Sequence, residues 1–258
     1  MIFDTHAHYD DEAFEEDREE ILGKLPEVGV KAVVNAGASL ASTKAAIRLA
    51  ETHDFLYAMA GVHPSETGEL NEENFGRLRT ALAHPKVVAM GEVGLDYHWP
   101  EPDREIQKKW FVRQIALAKE ADMPLAVHSR DAAFDTLDII RAEAAGRPGI
   151  IHCFSYGAEM AREYLNLGYY IGIGGVLTFK NAKKLKEVAA YAPLSRIVLE
   201  TDCPYLAPEP HRGRRNSSLY LPCVVKELAR IKQVTEEEVE RVTFANAVEV
   251  YRLGGVYG

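Results

Sequence analysis

Residues 1–10 read MIFDTHAHYD, and the fold turns on how residues 2–8, IFDTHAH, are read. The stretch suits a short β-strand, and in a strand residues two apart share a face. His6 and His8 therefore point the same way at the C-terminal end of the first candidate strand. A doubly wound sheet would follow its first strand with a glycine-rich phosphate turn. Here the strand ends in HAHYD instead.

Seven more short β-branched runs succeed it: 31–37, 55–61, 87–93, 124–130, 149–154, 169–174 and 196–202. Several, such as AVVNAG, KVVAMG and RIVLE, are near-continuous apolar runs, as parallel strands covered on both faces require. Between them lie stretches of helical period. Residues 103–121 put Phe111, Ile115 and Ala118 on one stripe with Ile106 and Trp110 beside it, and 219–232 do the same with Val224, Leu228 and Ile231. Thr235 followed by Glu238 reads as a capping box. Gly29, Gly146 and Gly168 stand just before strands, where a helix ends in left-handed geometry. Eight strand–helix units without a linker or repeat predict a single α/β domain over 1–258, a (β/α)₈ TIM barrel.

The 258 residues are 47% hydrophobic and 27% charged, an ordinary globular mixture for such a barrel. No apolar run approaches the ~20 residues that span a bilayer, so no membrane association is expected. Nor does the start carry the basic region of a secretory signal. Three cysteines, Cys153, Cys203 and Cys223, form no CxxC pair or even framework, which predicts a reducing cytoplasm. The net charge of −9 argues against a protein that coats nucleic acid, although an enzyme holding one strand end needs only a local basic patch. Two cationic clusters exist. Lys180, Lys183, Lys184 and Lys186 read as a solvated helix face, whereas Arg212, Arg214 and Arg215 sit in a Pro/Gly-rich loop better placed to contact substrate.

Barrel active sites lie at the C-terminal ends of the strands. The same ends that carry His6 and His8 carry His63 (strand 3), Glu92 (strand 4), His128 (strand 5), His152 (strand 6) and Asp202 (strand 8). Any one histidine there is more often a satisfied polar group than a ligand. Leaving His63 aside, four histidines and two carboxylates at one mouth are another matter, because buried charge is costly unless paired or bound to metal. Six such groups suit two divalent metal ions sharing a carboxylate. Asp4, deeper on the face of His6 and His8, is expected to support a ligand histidine from behind, and Glu200, two residues before Asp202, could orient a ligand histidine or form a purely structural ion pair. Arg130 shares the face of His128 and could grip a phosphate as a fork or close the rim in a salt bridge. Ser129, Cys153 and Cys203 have the opposite parity and should face the helices. Asp96 could contact substrate or cap the following loop, and His98 reads as an exposed loop residue.

The motifs DTHAH, GVHP, GEVGLDY, PLAVHSRDA, IHCFS and ETDCPYLAP resemble, in order, those of the TatD-type deoxyribonucleases, within the amidohydrolase-like metal-dependent hydrolases. The resemblance runs from Ile2 to about Tyr251 and implies the barrel, a divalent-metal centre for which magnesium (Mg2+) is usual, and 3′-directed exonuclease action on DNA. Carried over by motif, it implies that His6, His8, Glu92 and Asp202 hold one ion. It implies that Glu92, His128 and His152 hold the other, with Glu92 bridging. It places His63 near the substrate phosphate rather than on metal. Two ions roughly 3.5–4 Å apart can activate a water and stabilise both oxygens of an in-line displacement. Asp202 is then the choice for general base or serves as ligand alone. The expected partner is DNA, single-stranded or at a 3′ end, with no obligate protein partner. Imidazole-rich ligation would equally suit Zn2+ or Mn2+.

One departure stands in the chain. After the arginine run it reads Asn216-Ser217-Ser218, where the family usually has a proline and an acidic residue. Hydrolysis of another ester or amide, such as deacylation of an aminoacyl-tRNA, fits the same metal motif, because the barrel mouth supports many chemistries. Glu92 at the strand-4 position, where related amidohydrolases often use a carboxylated lysine, favours the nuclease branch. A binding protein that merely kept the barrel is disfavoured, since none of the six candidate ligands is missing.

Overall fold

A computed structural model describes residues 1–257. Its eight strands are β1 (Ile2–Ala7), β2 (Val30–Asn35), β3 (Leu56–Ala60), β4 (Val87–Asp96), β5 (Leu125–Arg130), β6 (Gly149–Ile151), β7 (Tyr170–Ile173) and β8 (Ile197–Leu199). They form one parallel sheet in chain order, β1 to β8. An Ala7–Cys203 bridge and bonds from His8 N to Cys203 O and Asp202 N to His6 O bring the last strand round onto the first. The (β/α)₈ barrel read from the sequence is the fold.

The helices are α1 (Arg18–Lys24), α2 (Leu40–Thr52), α3 (Glu72–Leu82), α4 (Arg104–Glu120), α5 (Ala133–Glu143), α6 (Ala158–Asn166), α7 (Lys183–Tyr191), α8 (Leu221–Lys232), α9 (Glu236–Val250) and α10 (Gly254–Tyr257). Phe111, Ile115 and Ala118 are buried as the stripe requires, but Ile106 is 42% exposed and lies off it. Thr235 caps α9 by accepting from Glu238 N, yet Glu238 turns its carboxylate to Arg241, so the expected box is half formed. Gly29, Gly146 and Gly168 all hold positive φ, the left-handed stops that were expected.

Two apolar layers result. Alternate strand residues such as Val33, Met90 and Leu125 pack outward against the helices. Those of opposite parity, such as Val34, Met59, Ala126 and Val198, fill the barrel, whose lower end Phe244 and Tyr251 of α9 cover beside Phe3. The other end is left to polar side chains.

Strand lengths differ from the sequence reading in a way that matters for the site. β4 runs three residues further, to Asp96, while β6 and β8 stop three residues earlier, at Ile151 and Leu199. Glu92 therefore lies inside a strand. His152, Glu200 and Asp202 lie beyond strand ends, where alternation no longer dictates direction.

A candidate metal centre at the barrel mouth

Two register slips aim the histidines and the central glutamate. β1 pairs Phe3 with Ala32 and Asp4 with Val33, then slips before Ala7 meets Asn35. The extra residue resets the alternation. Phe3 faces the barrel interior with Ala32, whereas Asp4 shares the outer face with Val33. After the slip His6 and His8 turn inward, with ring Nε2 atoms 3.2 Å apart. β4 slips likewise between Met90 and Val93, which sends Glu92 into the mouth.

Asp4 therefore does not share the face of His6 and His8, and the expectation that it supports a ligand imidazole is corrected. Its buried carboxylate accepts from Thr201 N (3.0 Å), Thr201 Oγ1 (2.7 Å) and Ser218 Oγ (2.6 Å), and touches His6 only at its backbone N (3.3 Å). It fastens the segment after β8 to β1. Ser218 belongs to the unusual Asn216-Ser217-Ser218 run. Asn216 donates to Thr201 O and Tyr205 O, so the run anchors the loop that carries Asp202.

Glu92 is the hub. Its Oε1 lies 2.9 Å from His128 Nδ1 and 2.7 Å from His152 Nε2. Its Oε2 lies 3.3 Å from His6 Nε2 and 3.6 Å from His8 Nε2. Asp202, at φ 55° just beyond β8, sets Oδ1 at 3.4 Å from His8 Nε2 and 3.9 Å from His6 Nε2. Aspartate adopts that left-handed conformation more readily than most residues. All six candidate ligands thus converge.

His63 joins them more closely than expected. Its Nε2 is 3.7 Å from Glu92 Oε1, and with Glu92 and His128 it makes one of three groups compact enough to hold an ion. The others are His6, His8 and Glu92, and His6, His152 and Asp202. His63 Nδ1 accepts from Ser65 N (3.2 Å), which leaves the proton of the neutral ring on Nε2. That tautomer suits a hydrogen-bond donor to substrate.

Charge is unevenly shared in this cluster. Burial alone would raise the Glu92 pKa, but His152, His63 and His6 and a bond from His128 outweigh it and hold the carboxyl well below its usual range. Burial, then His152, lowers His6 to about 4, and burial, then His128, lowers His63 to about 3. His8 rises to about 9 against burial because Asp202 and Glu92 face it. His128 rises to about 9 against burial through Asp96 and Glu92. Without a cation, a proton on His8 is held between Asp202 and Glu92, and one on His128 between Asp96 and Glu92.

Asp96 is the functional residue whose role the sequence left open. It shares the inward face of β4 with Glu92, its Oδ2 is 3.0 Å from His128 Nε2, and its Oδ1 accepts from His98 N. It therefore orients His128 and directs Nδ1 at Glu92, as carboxylates behind ligand histidines do. The spacing Glu92-x-Gly94-x-Asp96, with Gly94 paired to His128, was the available signal. Because a ligand imidazole must be neutral, metal affinity should rise with pH up to about 9 as His8 and His128 lose their protons. Asp96→Asn should weaken metal binding by roughly 10–100-fold and flatten that rise, because one cause of the high His128 pKa is gone. Calorimetric metal titration between pH 6 and 9 reads both; equal affinities in variant and parent at every pH would refute the role.

Glu200 sits behind His152 but outside hydrogen-bond range, with Oε1 3.8 Å from Nδ1. Its Oε1 accepts from Cys153 N (2.5 Å), Oε2 is buried without a partner, and burial pushes its pKa up to about 8. Cys153 corrects another expectation. At φ 46°, past the end of β6, it lies in the wall of the mouth beside Asp202 rather than facing the helices. Cys203 does belong to the outer core, and the Ser129 hydroxyl turns outward to Thr136 and Tyr156.

At the rim, Arg130 ends β5 exposed and makes no ion pair among the described residues. Arg212 lies over the Phe179 ring at 4.3 Å, and Arg215 is taken by Asp17 at 2.5 Å. His98 is exposed and faces Asp131 at 3.5 Å.

A family model described as TatD related DNase matches residues 3–252. The chain is 43% identical over 256 residues to an uncharacterized metal-dependent hydrolase, YabD, of Bacillus subtilis, covering 98% of this chain and 100% of that one. It is 32% identical to a 3′-5′ ssDNA/RNA exonuclease TatD of Cronobacter sakazakii, covering 97% of each. The crystal structure of YJJV, a TatD homolog from Escherichia coli, superposes with a TM-score of 0.93 at 30% identity, covering 97% of this chain and 98% of that one.

Proposed function

The chain belongs to the TatD-related DNase family and is a metal-dependent hydrolase, and we propose that it cuts phosphodiester bonds of single-stranded DNA from the 3′ end with two divalent cations. One observation carries the reading: Glu92 turns one oxygen to His128 and His152 and the other to His6 and His8.

The residues fit a pair of cations on their own chemistry. Ring nitrogens approach each other at 3.2 Å in both histidine pairs, His6 with His8 and His128 with His152. Such pairs point lone pairs at a shared centre, and imidazole with carboxylate is what divalent metals take. His6, His8, Glu92 and Asp202 would hold one ion, and Glu92, His128 and His152 the other. When bound, the pair would acidify a water and stabilise charge on the attacking and leaving oxygens. Mg2+ is the ion the family resemblance implies; Mn2+ and Zn2+ suit the same donors.

The chain's own groups supply the remainder. Asp202 takes the proton from the water that attacks phosphorus. Its side chain is 18% exposed against 5% for Glu92, and His8 keeps it ionised against burial. The P–O bond to the leaving sugar oxygen breaks with its electron pair, and that oxygen takes up a proton from solvent. His63, as an Nε2 donor, and Arg130, as a fork, orient the non-bridging oxygens; Arg212 meets the strand further out. Glu200, through its bond to Cys153 N, and Asp96 hold His152 and His128 in place.

Among the described residues no helix is long and apolar enough to cross a membrane. Three free cysteines accord with a cytoplasmic setting.

The test is end-labelled single-stranded DNA with Mg2+, Mn2+ or Zn2+, alongside Asp202→Asn and His152→Ala. Shortening from the 3′ end that needs metal and vanishes in both variants is expected. No shortening under any of the three ions would overturn the DNA assignment and direct attention to deacylase and small-ester substrates.

A further inference from the structure

Beside the metal centre, and sharing Asp202 with it, lies a cavity of about 480 Å³. That is within the range of roughly 300–1,000 Å³ in which small-molecule sites fall. Its floor is backbone at Gly172, where β7 pairs with Val198 of β8. Phe154, Val176, Leu185 and the exposed Leu206 give it apolar walls.

Two glycines keep it open in this shape. A β-carbon on Gly172 would collide with the Glu200 carboxyl, and one on Gly175 would collide with the Leu206 carbonyl. The second contact is how the loop after β8 closes over the cavity.

Polar groups are few and placed around the apolar walls. The Asn181 amide and Ser155 hydroxyl can meet the edge of a flat heterocycle, and Lys183 and Lys184 open α7. Both lysines are exposed and have no ion pair among the described residues, whereas Lys186, on the same helix, is paired with Glu227 at 3.1 Å. In a chain of net charge −9, two free cations beside a cavity adjoining the catalytic aspartate are a local anion site. They stand exposed on the helix, as the expected solvated face requires, and they also line the cavity that Asp202 borders.

We infer that this cavity receives the base and sugar of the terminal nucleotide, with Lys183 and Lys184 on the neighbouring phosphate; the assignment rests on the nuclease reading above. A strand lying over the metals can drop one base between Phe154, Val176 and Leu206, where base stacking on aromatic and apolar surface is tolerant of sequence.

The experiment compares the metal-loaded enzyme with Val176→Phe, which narrows the cavity, and with Lys183→Ala/Lys184→Ala, whose exposed positions do not threaten folding. Lys44→Ala on α2 is the distant control. KM for an oligodeoxynucleotide should rise about tenfold, the equivalent of ~1.4 kcal/mol, in both cavity variants and not in the control. Deoxyadenosine 5′-monophosphate, titrated calorimetrically, should bind the parent and bind both variants correspondingly less. If the parent cleaves DNA and both variants match it in KM and mononucleotide binding, the cavity assignment falls while the nuclease reading stands. If the parent cleaves no DNA but binds the mononucleotide, and Val176→Phe loses that binding, the nuclease reading falls and with it the strand-end assignment, leaving the cavity as a site for a free nucleotide. No cleavage and no binding would overturn both.

Discussion

Glu92→Gln should lower hydrolysis by ~10³–10⁴-fold, because a shared metal ligand is worth several kcal/mol of charge stabilisation in the transition state. The substitution keeps the shape and removes the charge. Glu92 faces four imidazoles within 3.6 Å and a fifth, His63, at 3.7 Å. Its charge is among the causes that hold His8 and His128 protonated, and without it both imidazoles titrate at lower pH. The glutamine also offers an NH2 donor where a cation or an imidazole proton stood. Metal stoichiometry by calorimetry or elemental analysis should drop together with kcat. Retention of two ions per chain and more than a tenth of the parental rate would rule out Glu92 as the bridge.

Glu200→Gln should remove a loss of stability that the metal-free protein suffers as pH rises. Glu200 is fully buried, one of its oxygens has no partner, and its pKa is raised to about 8. A group with a raised folded-state pKa contributes stability that is fully present below its unfolded value and lost as pH rises through the folded one. The window here runs from the ordinary glutamate range to about 8. Across it the loss amounts to about 5 kcal/mol, at 1.36 kcal/mol per pKa unit, of which roughly 3–4 kcal/mol falls between pH 5 and pH 8. Glutamine resembles the neutral carboxyl and cannot ionise, so the variant should gain stability on the parent between pH 5 and pH 8. For a chain of this size that is a relative rise in Tm of roughly 10 °C. Thermal unfolding in EDTA at both pH values reads it, and a parent–variant difference that stays constant with pH would show that Glu200 is not held neutral.

The place of Glu200 also shows where reading a sequence stops. Its inward parity was legible two residues before Asp202, but its hydrogen bond to Cys153 N depends on a chain that has left β6 in a left-handed turn. The six candidate ligands were legible because each stands within a few residues of a strand end, and barrels collect strand ends at one mouth. Asp4 was misplaced because an extra residue in β1 inverts parity between Asp4 and His6, and nothing in IFDTHAH marks it. Asp96 lay beyond the expected end of β4, since the strand continues where the sequence suggested a loop. Lys183 and Lys184 have the composition of any solvated helix face; only the packing of α7 beside the cavity brings them to line the same space as Asp202.

The sequence by itself determined the eight-fold alternation of strand and helix and the set of histidines and carboxylates at one end. Those features follow from hydrophobic period and from residue type at strand ends, which are local. Tertiary structure alone decided which ring nitrogen of each histidine faces Glu92, which carboxylates stand behind them, and that a cavity opens beside Asp202. Those depend on register slips, on left-handed residues and on loops packed against distant strands, where a displacement of one residue reverses the direction of a side chain.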